Sequence, residues 1–386
     1  MKRKSKALIA WWMSVVLLIL ISMTGCGWND DDADEDNLEE AAMGNRIYVT
    51  LAGDHEVVVI DEDSEQIVSR ISVGEGPAII LKTPDDQKLY TANWGGNSTS
   101  VIDVETENVT DIMFDGIPYV IAMAPDGRYL YAGVKSEPSG IVVIDTSNDT
   151  IVKRFPTPEL AASLTVSPDG EILYVATTVS GDPNREHSLY SISTADGSVI
   201  QDLIPVGSMP AWITIKPDGS RVYTLNFNSD DITVVDTNYE SILDDSISDD
   251  PLEEVVTIAT GAGSQGIIGN VTPDESLLYV TNFGSLDMVA IDTATNEVVE
   301  AAPVTFAGRP VGVNFNADGS RIYVVDYGPG SEAPEAANAN LTYLLTGVYT
   351  PEYQGQVSII DEQSWQRLAT IANVGRGPTS VVVIEH

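Results

Sequence analysis

Few side chains in this sequence could take part in acid–base, nucleophilic or metal chemistry. Besides a single cysteine, the 386 residues contain three histidines, His55, His187 and His386. Metal ligands and acid–base pairs must converge within a few ångströms, but the two internal histidines fall in matching loops of the first and fourth copies of a repeat. No Gly-rich phosphate loop opens a helix. The sequence therefore predicts no catalytic set, no metal site and no cofactor.

The sequence contains more residues that could bind a ligand through aromatic rings than residues that could catalyse a reaction. An asparagine or aspartate is followed by an aromatic residue at the same repeat position in four copies: Asn93-Trp94, Asn226-Phe227, Asn282-Phe283 and Asp326-Tyr327. Rings exposed at a channel mouth would suit a flat ligand or the anchor residue of a partner. Alternatively, the rings pack between neighbouring units and the asparagines cap strand ends. The sequence leaves both interpretations open.

Two arginines are candidates for binding an anionic group. Arg309 and Arg376 both occupy the loops that lead into the first strand of a repeat, within Gly308-Arg309-Pro310 and Gly375-Arg376-Gly377. Together they could hold a carboxylate or phosphate by bidentate hydrogen bonds. Because the chain has 58 acidic and only 19 basic residues, internal pairing with carboxylates is the alternative.

These candidates are positioned by a repeat of about 42 residues. A hydrophobic residue followed by tyrosine recurs seven times, with the tyrosines at Tyr48, Tyr90, Tyr131, Tyr174, Tyr223, Tyr279 and Tyr323. Each copy has an apolar strand, a tight turn such as Pro125-Asp126-Gly127, the tyrosine strand, a third strand that usually ends in Asp, and an outer strand. Four short strands in seven copies are typical of a seven-bladed β-propeller, an all-β fold.

The two ends of the chain are expected to close the ring. The first copy starts at the tyrosine strand and lacks an inner strand, whereas the C-terminus has a spare one after Gly377-Pro378. We therefore predict that residues 380–384 pair with residues 47–51. Ring closure would remove the exposed sheet edges at which other chains could pair.

The repeats resemble the YVTN-family β-propeller repeat over residues 45–386. The clearest matches are Tyr279-Val280-Thr281-Asn282, Tyr223-Thr224-Leu225-Asn226 and Tyr90-Thr91-Ala92-Asn93, with their preceding Pro-Asp turns and following strands that end in Asp. The resemblance implies a secreted, periplasmic or surface-layer protein. It leaves the function open, because proteins with this fold differ widely in role.

The N-terminal residues read as a targeting segment. Basic residues precede an apolar run over residues 7–23, and Met23-Thr24-Gly25-Cys26 follows. This sequence resembles the lipobox of bacterial lipoproteins, which implies a signal peptide over residues 1–25 and lipid attachment at Cys26. An uncleaved membrane helix or a simple secreted form are the alternatives.

The domain organisation follows from this assignment. Residues 26–43 are expected to form an acidic tether, and residues 44–386 are expected to form the propeller. Gly27 after the lipid site favours the outer membrane or outer cell surface, with the domain on the periplasmic or extracellular face.

The net charge of the chain limits which classes of partner it is expected to bind. Cleavage after Gly25 removes four basic residues and no acid, which takes the net charge from −39 to −43. Nucleic-acid binding depends on Lys and Arg neutralising phosphates, so this acidic chain is not expected to bind DNA or RNA.

Two enlarged loops, residues 179–188 and 328–355, belong to the same end of the channel as the candidate binding residues. Three roles are open for the longer loop: it covers the channel, docks a partner or packs on its own blade.

We therefore expect a monomeric, non-catalytic cell-envelope module that engages an envelope protein, a glycan or a small ligand through this loop end. An enzyme is the first alternative, because seven-bladed relatives include lactonase-like hydrolases and quinone-linked dehydrogenases. Such a site would use channel-mouth carboxylates, one of the two arginines and His187. A structural surface-layer component is the second alternative.

Overall fold

The computed structural model describes residues 44–157, 159–178, 187–237, 255–299, 304–331 and 353–385, which belong to the compact unit Met43–His386. The signal peptide, Cys26, the tether and most of both enlarged loops lie outside the described residues. Across the described ranges, no helix is long and apolar enough to cross a membrane.

Twenty-nine strands in these ranges form seven antiparallel sheets, the blades. From the inner to the outer strand, blade 1 contains β29 (Pro378–Ile384), β1 (Arg46–Leu51), β2 (Glu56–Asp61) and β3 (Gln66–Ser72). Blade 2 contains β4 (Pro77–Lys82), β5 (Lys88–Asn93), β6 (Ser98–Asp103) and β7 (Val109–Met113). Blade 3 contains β8 (Ile117–Met123), β9 (Tyr129–Lys135), β10 (Gly140–Asp145) and β11 (Thr150–Pro156). Blade 4 contains β12 (Leu160–Val166), β13 (Ile172–Thr178), β14 (Ser188–Ser193) and β15 (Val199–Pro205).

The remaining three blades follow the same order. Blade 5 contains β16 (Pro210–Ile215), β17 (Arg221–Asn226), β18 (Asp231–Asp236) and β19 (Val255–Ala259). Blade 6 contains β20 (Gly266–Val271), β21 (Leu277–Asn282) and β22 (Asp287–Asp292), with β23 (Glu297–Val298) and β24 (Val304–Thr305) both pairing with β22 as its outer edge. Blade 7 contains β25 (Pro310–Phe315), β26 (Arg321–Asp326), β27 (Gln354–Asp361) and β28 (Arg367–Arg376).

The seven blades form a closed ring around an axial channel. Each inner strand contacts the inner strand of the next blade, and β25 of blade 7 contacts β29 of blade 1. The predicted closure is confirmed, because β29 pairs antiparallel with β1 and sets Ile47 opposite Val383 and Val49 opposite Val381. The seven-bladed β-propeller predicted from the repeat is therefore the observed fold.

The inner hairpins turn where the Pro-Asp-Gly sequences predict. In blade 3, Asp126 Oδ1 accepts the Arg128 N–H at 2.9 Å, and Gly127 adopts a φ of +72°. Glycine has no Cβ to oppose this left-handed conformation, and the aspartate side chain satisfies a backbone donor that the turn leaves free. The aspartate and glycine of these turns therefore determine where the inner strand ends and where the tyrosine strand begins.

In blades 2 and 6 the repeated tyrosine links its blade to the next one. Tyr90 and Tyr279 are almost completely buried, and burial in an apolar setting normally requires a partner for the hydroxyl group. The hydroxyl of Tyr90 donates to Asp149 Oδ1 of blade 3 at 2.5 Å, and that of Tyr279 donates to Glu362 Oε1 of blade 7 at 3.0 Å. Burial and the nearby carboxylate raise the pKa of both phenols.

A cluster around Glu62 links blade 7 to blade 1 across the closure. Glu62 is 4% exposed and its carboxylate accepts hydrogen bonds from the Tyr323 hydroxyl, the Asn45 amide and the Arg321 guanidinium. Burial alone would raise the pKa of Glu62, but these three donors outweigh it and hold the pKa below its ordinary value. The carboxylate therefore stabilises the ring where the two chain ends meet.

Candidate functional site

Every inner strand carries a β-bulge near its first residue, at the end of the channel where the blade-to-blade loops lie. In five blades the pairing with the tyrosine strand skips one residue, for example between Pro77 and Ile79 and between Pro210 and Trp212. In blades 1 and 7 it skips two residues of the inner strand. A bulge leaves the extra residue unpaired and re-aims its side chain. We call the first skipped residue of each inner strand its bulge residue; in blades 1 to 7 these are Thr379, Ala78, Tyr119, Ala162, Ala211, Ile267 and Val311.

These seven residues line one cavity, which we call the upper chamber. Its volume is about 80 Å³, and its remaining walls are Ile79, Trp94, Met209, Pro210, Trp212, Phe227 and Ile268. Since all seven blades contribute, the chamber lies on the ring axis. Its lining contains no charged side chain. Three of the seven bulge residues are alanine, and the small side chains leave open the space that larger ones would fill.

A second cavity, the lower chamber, lies further along the same channel toward the hairpin turns. It has a volume of about 330 Å³ and is lined by the later residues of the inner strands of blades 1, 2, 5, 6 and 7. Asn270 and Asn314 belong to this lining, but their amides donate to carbonyl groups of the next inner strand, at 2.7 and 3.0 Å. Trp212 and Ile268 line both chambers, so they lie between the two cavities.

Two aromatic rings stack in the wall of the upper chamber. Trp94 follows β5, and its ring lies parallel to that of Tyr119, with centroids 4.9 Å apart and planes inclined by 10°. The Trp94 Nε1–H donates to the Tyr119 carbonyl at 3.0 Å. Stacking and this hydrogen bond together hold the indole of blade 2 against blade 3, where part of its surface faces the cavity.

The other predicted aromatic residues form a buried row between blades 5, 6 and 7. The Phe283 ring lies 6.0 Å from both Phe227 and Tyr327, and all three side chains are fully buried. Phe227 borders the upper chamber, whereas Phe283 and Tyr327 are not part of its lining. Their packing matches the alternative in which the rings fill the space between blades.

The two candidate arginines have different protein partners. Arg309 is 3% exposed, lies 4.9 Å from the Phe283 ring centroid and donates to the carbonyls of Phe283 and Ser331, each at 2.7 Å. Arg376 forms an ion pair with Asp54 at 2.6 Å, and its side chain is 43% exposed. Neither residue belongs to the lining of the upper chamber.

The predicted asparagines fix the turns between the second and third strands. Asn93 Nδ2 donates to Ser98 and Ser100, and Asn226 Nδ2 donates to Asp231 at 2.7 Å. Asn282 Nδ2 makes the equivalent bond to Asp287 at 2.8 Å. These amides hold the turns that carry the aromatic residues, which is the strand-capping role considered from the sequence.

Blade 7 has a carboxyl group where these blades have an amide. Asp326 is fully buried, accepts the Gly328 N–H at 2.8 Å and accepts the Gln356 Nε2–H at 3.0 Å. Burial outweighs these bonds and raises the pKa of Asp326 to about 6. Asp326 is thus an ionisable residue at a repeat position where blades 2, 5 and 6 have a neutral asparagine.

Sequence reasoning missed most of the chamber wall. Tyr119, Trp212 and the alanine bulge residues stand in the first three positions of their inner strands. The signal was present, because the residue after Pro77, Pro118, Pro210 and Pro310 is the bulge residue each time. Within the described ranges, no group of three or more His, Cys, Asp or Glu side chains could hold a metal ion.

The fold and this axial chamber define a seven-bladed β-propeller closed by its C-terminal strand. Among known proteins, the chain is 27% identical over 324 residues to the seven-bladed beta-propeller protein Rv1057 of Mycobacterium tuberculosis, a match that covers 74% of this chain and 78% of that one. It is 31% identical over 103 residues to the uncharacterized protein YncE of Salmonella typhi, covering 26% and 29% of the two chains. No protein-family model matches the chain.

Two solved structures share the architecture at low sequence identity. Hydrazine synthase of Kuenenia stuttgartiensis has a TM-score of 0.65 at 17% identity and covers 86% of this chain and 99% of that chain. The dihydro-heme d1 dehydrogenase NirN has a TM-score of 0.57 at 15% identity and covers 89% and 76%. At this level of identity the likeness concerns the fold alone.

Proposed function

We propose that this chain is a non-catalytic binding module of the cell envelope, and that it holds a small, uncharged, largely apolar ligand in the upper chamber. The observation that carries the proposal is the ring of seven bulge residues, one from each blade, which converge on one apolar cavity. Concave apolar sites on an axis shared by several elements are common ligand sites.

The sequence left an envelope protein, a glycan and a small ligand as possible partners. The lining of the upper chamber favours a small apolar ligand. A charged group would lose its hydration without gaining a counter-charge, since neither Arg309 nor Arg376 faces the chamber. A glycan brings many hydroxyl groups, each of which needs a hydrogen-bonding partner when buried. An apolar ligand gains about 25 cal/mol for each Å² of its surface removed from water.

Filling the chamber tests this proposal. Ala211→Leu places a larger side chain in the cavity, and we expect it to weaken binding of ethylbenzene at least about tenfold, because the added carbons occupy space that the ligand needs; tenfold corresponds to about 1.4 kcal/mol. Binding is measured by ligand-observed saturation-transfer NMR. Ala294→Leu makes the same chemical change at an exposed turn and should leave binding unchanged. Equal binding by both variants, or none by the unaltered protein, would contradict the proposed site.

We also propose that lipid attached to Cys26 anchors the domain to the envelope through the acidic tether. The support is the lipobox-like sequence and the basic and apolar segment before it. Cys26→Ala should abolish incorporation of radiolabelled palmitate in a bacterial host and release the protein from the membrane fraction. Persistence of both label and membrane association in that variant would refute the anchor.

A further inference from the structure

The lower chamber differs from the upper one in size and in polarity. Its volume of about 330 Å³ lies within the range of about 300–1,000 Å³ that is usual for small-molecule sites. Polar and apolar atoms contribute almost equally to its wall, whereas the wall of the upper chamber is almost wholly apolar. A ligand of the lower chamber must therefore satisfy polar groups as well as fill space.

Three polar side chains of this wall, Thr214, Asn270 and Asn314, occupy one repeat position, the inner-strand residue opposite the repeated tyrosine. Blades 1 to 3 have apolar residues at this position and blades 4 to 7 have polar ones: Val382, Leu81, Ala122, Thr165, Thr214, Asn270 and Asn314. Since blades 1 to 3 form the same inner hairpin with an apolar residue, the fold itself does not require polar residues here in blades 5 to 7.

The two asparagine amides lie along the wall itself. Asn270 Nδ2 donates to the Val313 carbonyl at 2.7 Å, and Asn314 Nδ2 donates to the Val381 carbonyl at 3.0 Å. Val313 and Val381 line the same chamber, so each amide bridges two neighbouring inner strands of the lining. Both asparagines are half-buried. A primary amide has two N–H donors, and each of these bonds uses one of them, which leaves the other for a group in the chamber.

The wall on the side of blades 1 and 2 is apolar, and no charged side chain belongs to the lining. Ile80, Leu81 and Val381 form the apolar side, and the rings of Trp212 and Phe315 add to it. An ion would lose its hydration here without gaining a counter-charge. A purely apolar ligand would displace water from the amides and leave their remaining donors unpaired, which is unfavourable. Both ligand classes are therefore disfavoured.

We infer that the lower chamber is a second binding site and that its ligand is a neutral sugar, a single pyranose unit. The hydroxyl groups of a pyranose donate and accept hydrogen bonds, as the amides and the threonine hydroxyl do, and its C–H faces suit the apolar side of the wall. At about 30 Å³ per molecule, the chamber has room for about eleven waters, and a hexose has a similar number of non-hydrogen atoms. This site is separate from the upper chamber and does not depend on the function proposed for it.

Titration of three sugars into the ¹⁵N-labelled full-length chain tests the site: the methyl pyranosides of glucose, galactose and mannose. We expect at least one of them to bind and to shift the side-chain NH2 signals of Asn270 and Asn314, which are assigned with Asn270→Leu and Asn314→Leu variants. Cyclohexylmethanol has a ring of the same size with a single hydroxyl group, and it should bind at least tenfold more weakly. Binding of none of the three glycosides, equally tight binding of cyclohexylmethanol, or glycoside binding without a shift of these amide signals would overturn the inference.

Two pairs of variants measure the contribution of the polar wall. Asn270→Leu introduces the residue type that blade 2 has at this position and should weaken the bound glycoside at least about tenfold, whereas Asn228→Leu makes the same change at an exposed turn and should have no effect. Thr214→Val should weaken it about three- to tenfold, the loss expected for one hydrogen bond. Thr165→Val makes that change at the same repeat position outside the lining and should leave the affinity unchanged. Unchanged affinity in both Asn270→Leu and Thr214→Val would overturn the sugar site.

Discussion

Replacing Asp326 with asparagine should stabilise the folded protein, and should do so more at pH 8 than at pH 5. Asp326 is fully buried, and its two described hydrogen-bond donors are the Gly328 N–H and the Gln356 amide. An asparagine keeps an acceptor for Gly328, and a flip of the Gln356 amide supplies an acceptor for the new Nδ2 group. Three other blades already have asparagine at this position: Asn93, Asn226 and Asn282.

The size of the effect follows from the pKa of Asp326. Burial raises this pKa from 3.8 to about 6, and the charge of Arg367 opposes the rise only in part. Because ionisation is disfavoured in the folded state, the folded protein loses stability as the pH rises from below 4 to above 6. At about 1.4 kcal/mol per pKa unit, the full cost is about 3 kcal/mol at pH 8 and about half of that at pH 5.

Urea unfolding of both proteins at the two pH values measures this difference. We expect Asp326→Asn to raise the free energy of unfolding by about 2 to 3 kcal/mol at pH 8 and by about 1 to 2 kcal/mol at pH 5. Asn282→Asp is the mirror control, since it places a carboxylate beside Asp287 and should destabilise the protein at pH 8. A gain that is the same at both pH values, or a loss of stability in Asp326→Asn, would refute the assignment of a raised pKa to this buried carboxyl group.

Two further predictions concern ring closure. Glu62→Gln should lower the free energy of unfolding by about 1 to 3 kcal/mol at pH 7, because it removes charge-assisted bonds to Tyr323, Asn45 and Arg321. Since the pKa of Glu62 is lowered by folding, this penalty should shrink as the pH falls below about 4.5; a penalty independent of pH in urea melts would contradict the role of the charge. Deletion of residues 378–386 should abolish the single cooperative thermal transition, because it removes the inner strand of blade 1, whereas deletion of His386 alone should preserve that transition in calorimetry. A sharp melt of the longer truncation would show that the ring is stable without β29.

The fold could be predicted from the sequence because its determinants are local and recur seven times. The Pro-Asp-Gly turns, the tyrosine strands and the strands that end in Asp each indicate one element, and the repeat indicates how the elements assemble. The pairing of β29 with β1 was predictable as well, because one copy lacked an inner strand and the other end of the chain had one to spare. Each of these signals is carried by neighbouring residues.

The site was less predictable because it depends on which side chains face the axis. Trp94 and Phe227 line the upper chamber, but Phe283 and Tyr327 have the same sequence pattern and are buried between blades without lining it. The direction of Trp212 depends on a β-bulge, which shifts the alternation of side chains by one residue. Arg309 has backbone carbonyl partners that no pattern of charges reveals.

The bulges have a consequence for how such chains can diverge. A residue in a regular ladder position is constrained by the side chains opposite and diagonal to it on the neighbouring strand, but a bulge residue has no opposite partner. Exchange of Ala162 or Ile267 for another side chain would change the shape of the axial cavity and leave the strand register as it is. Seven positions, one per blade, therefore shape one shared cavity, so that proteins with this scaffold could acquire different ligands through single substitutions.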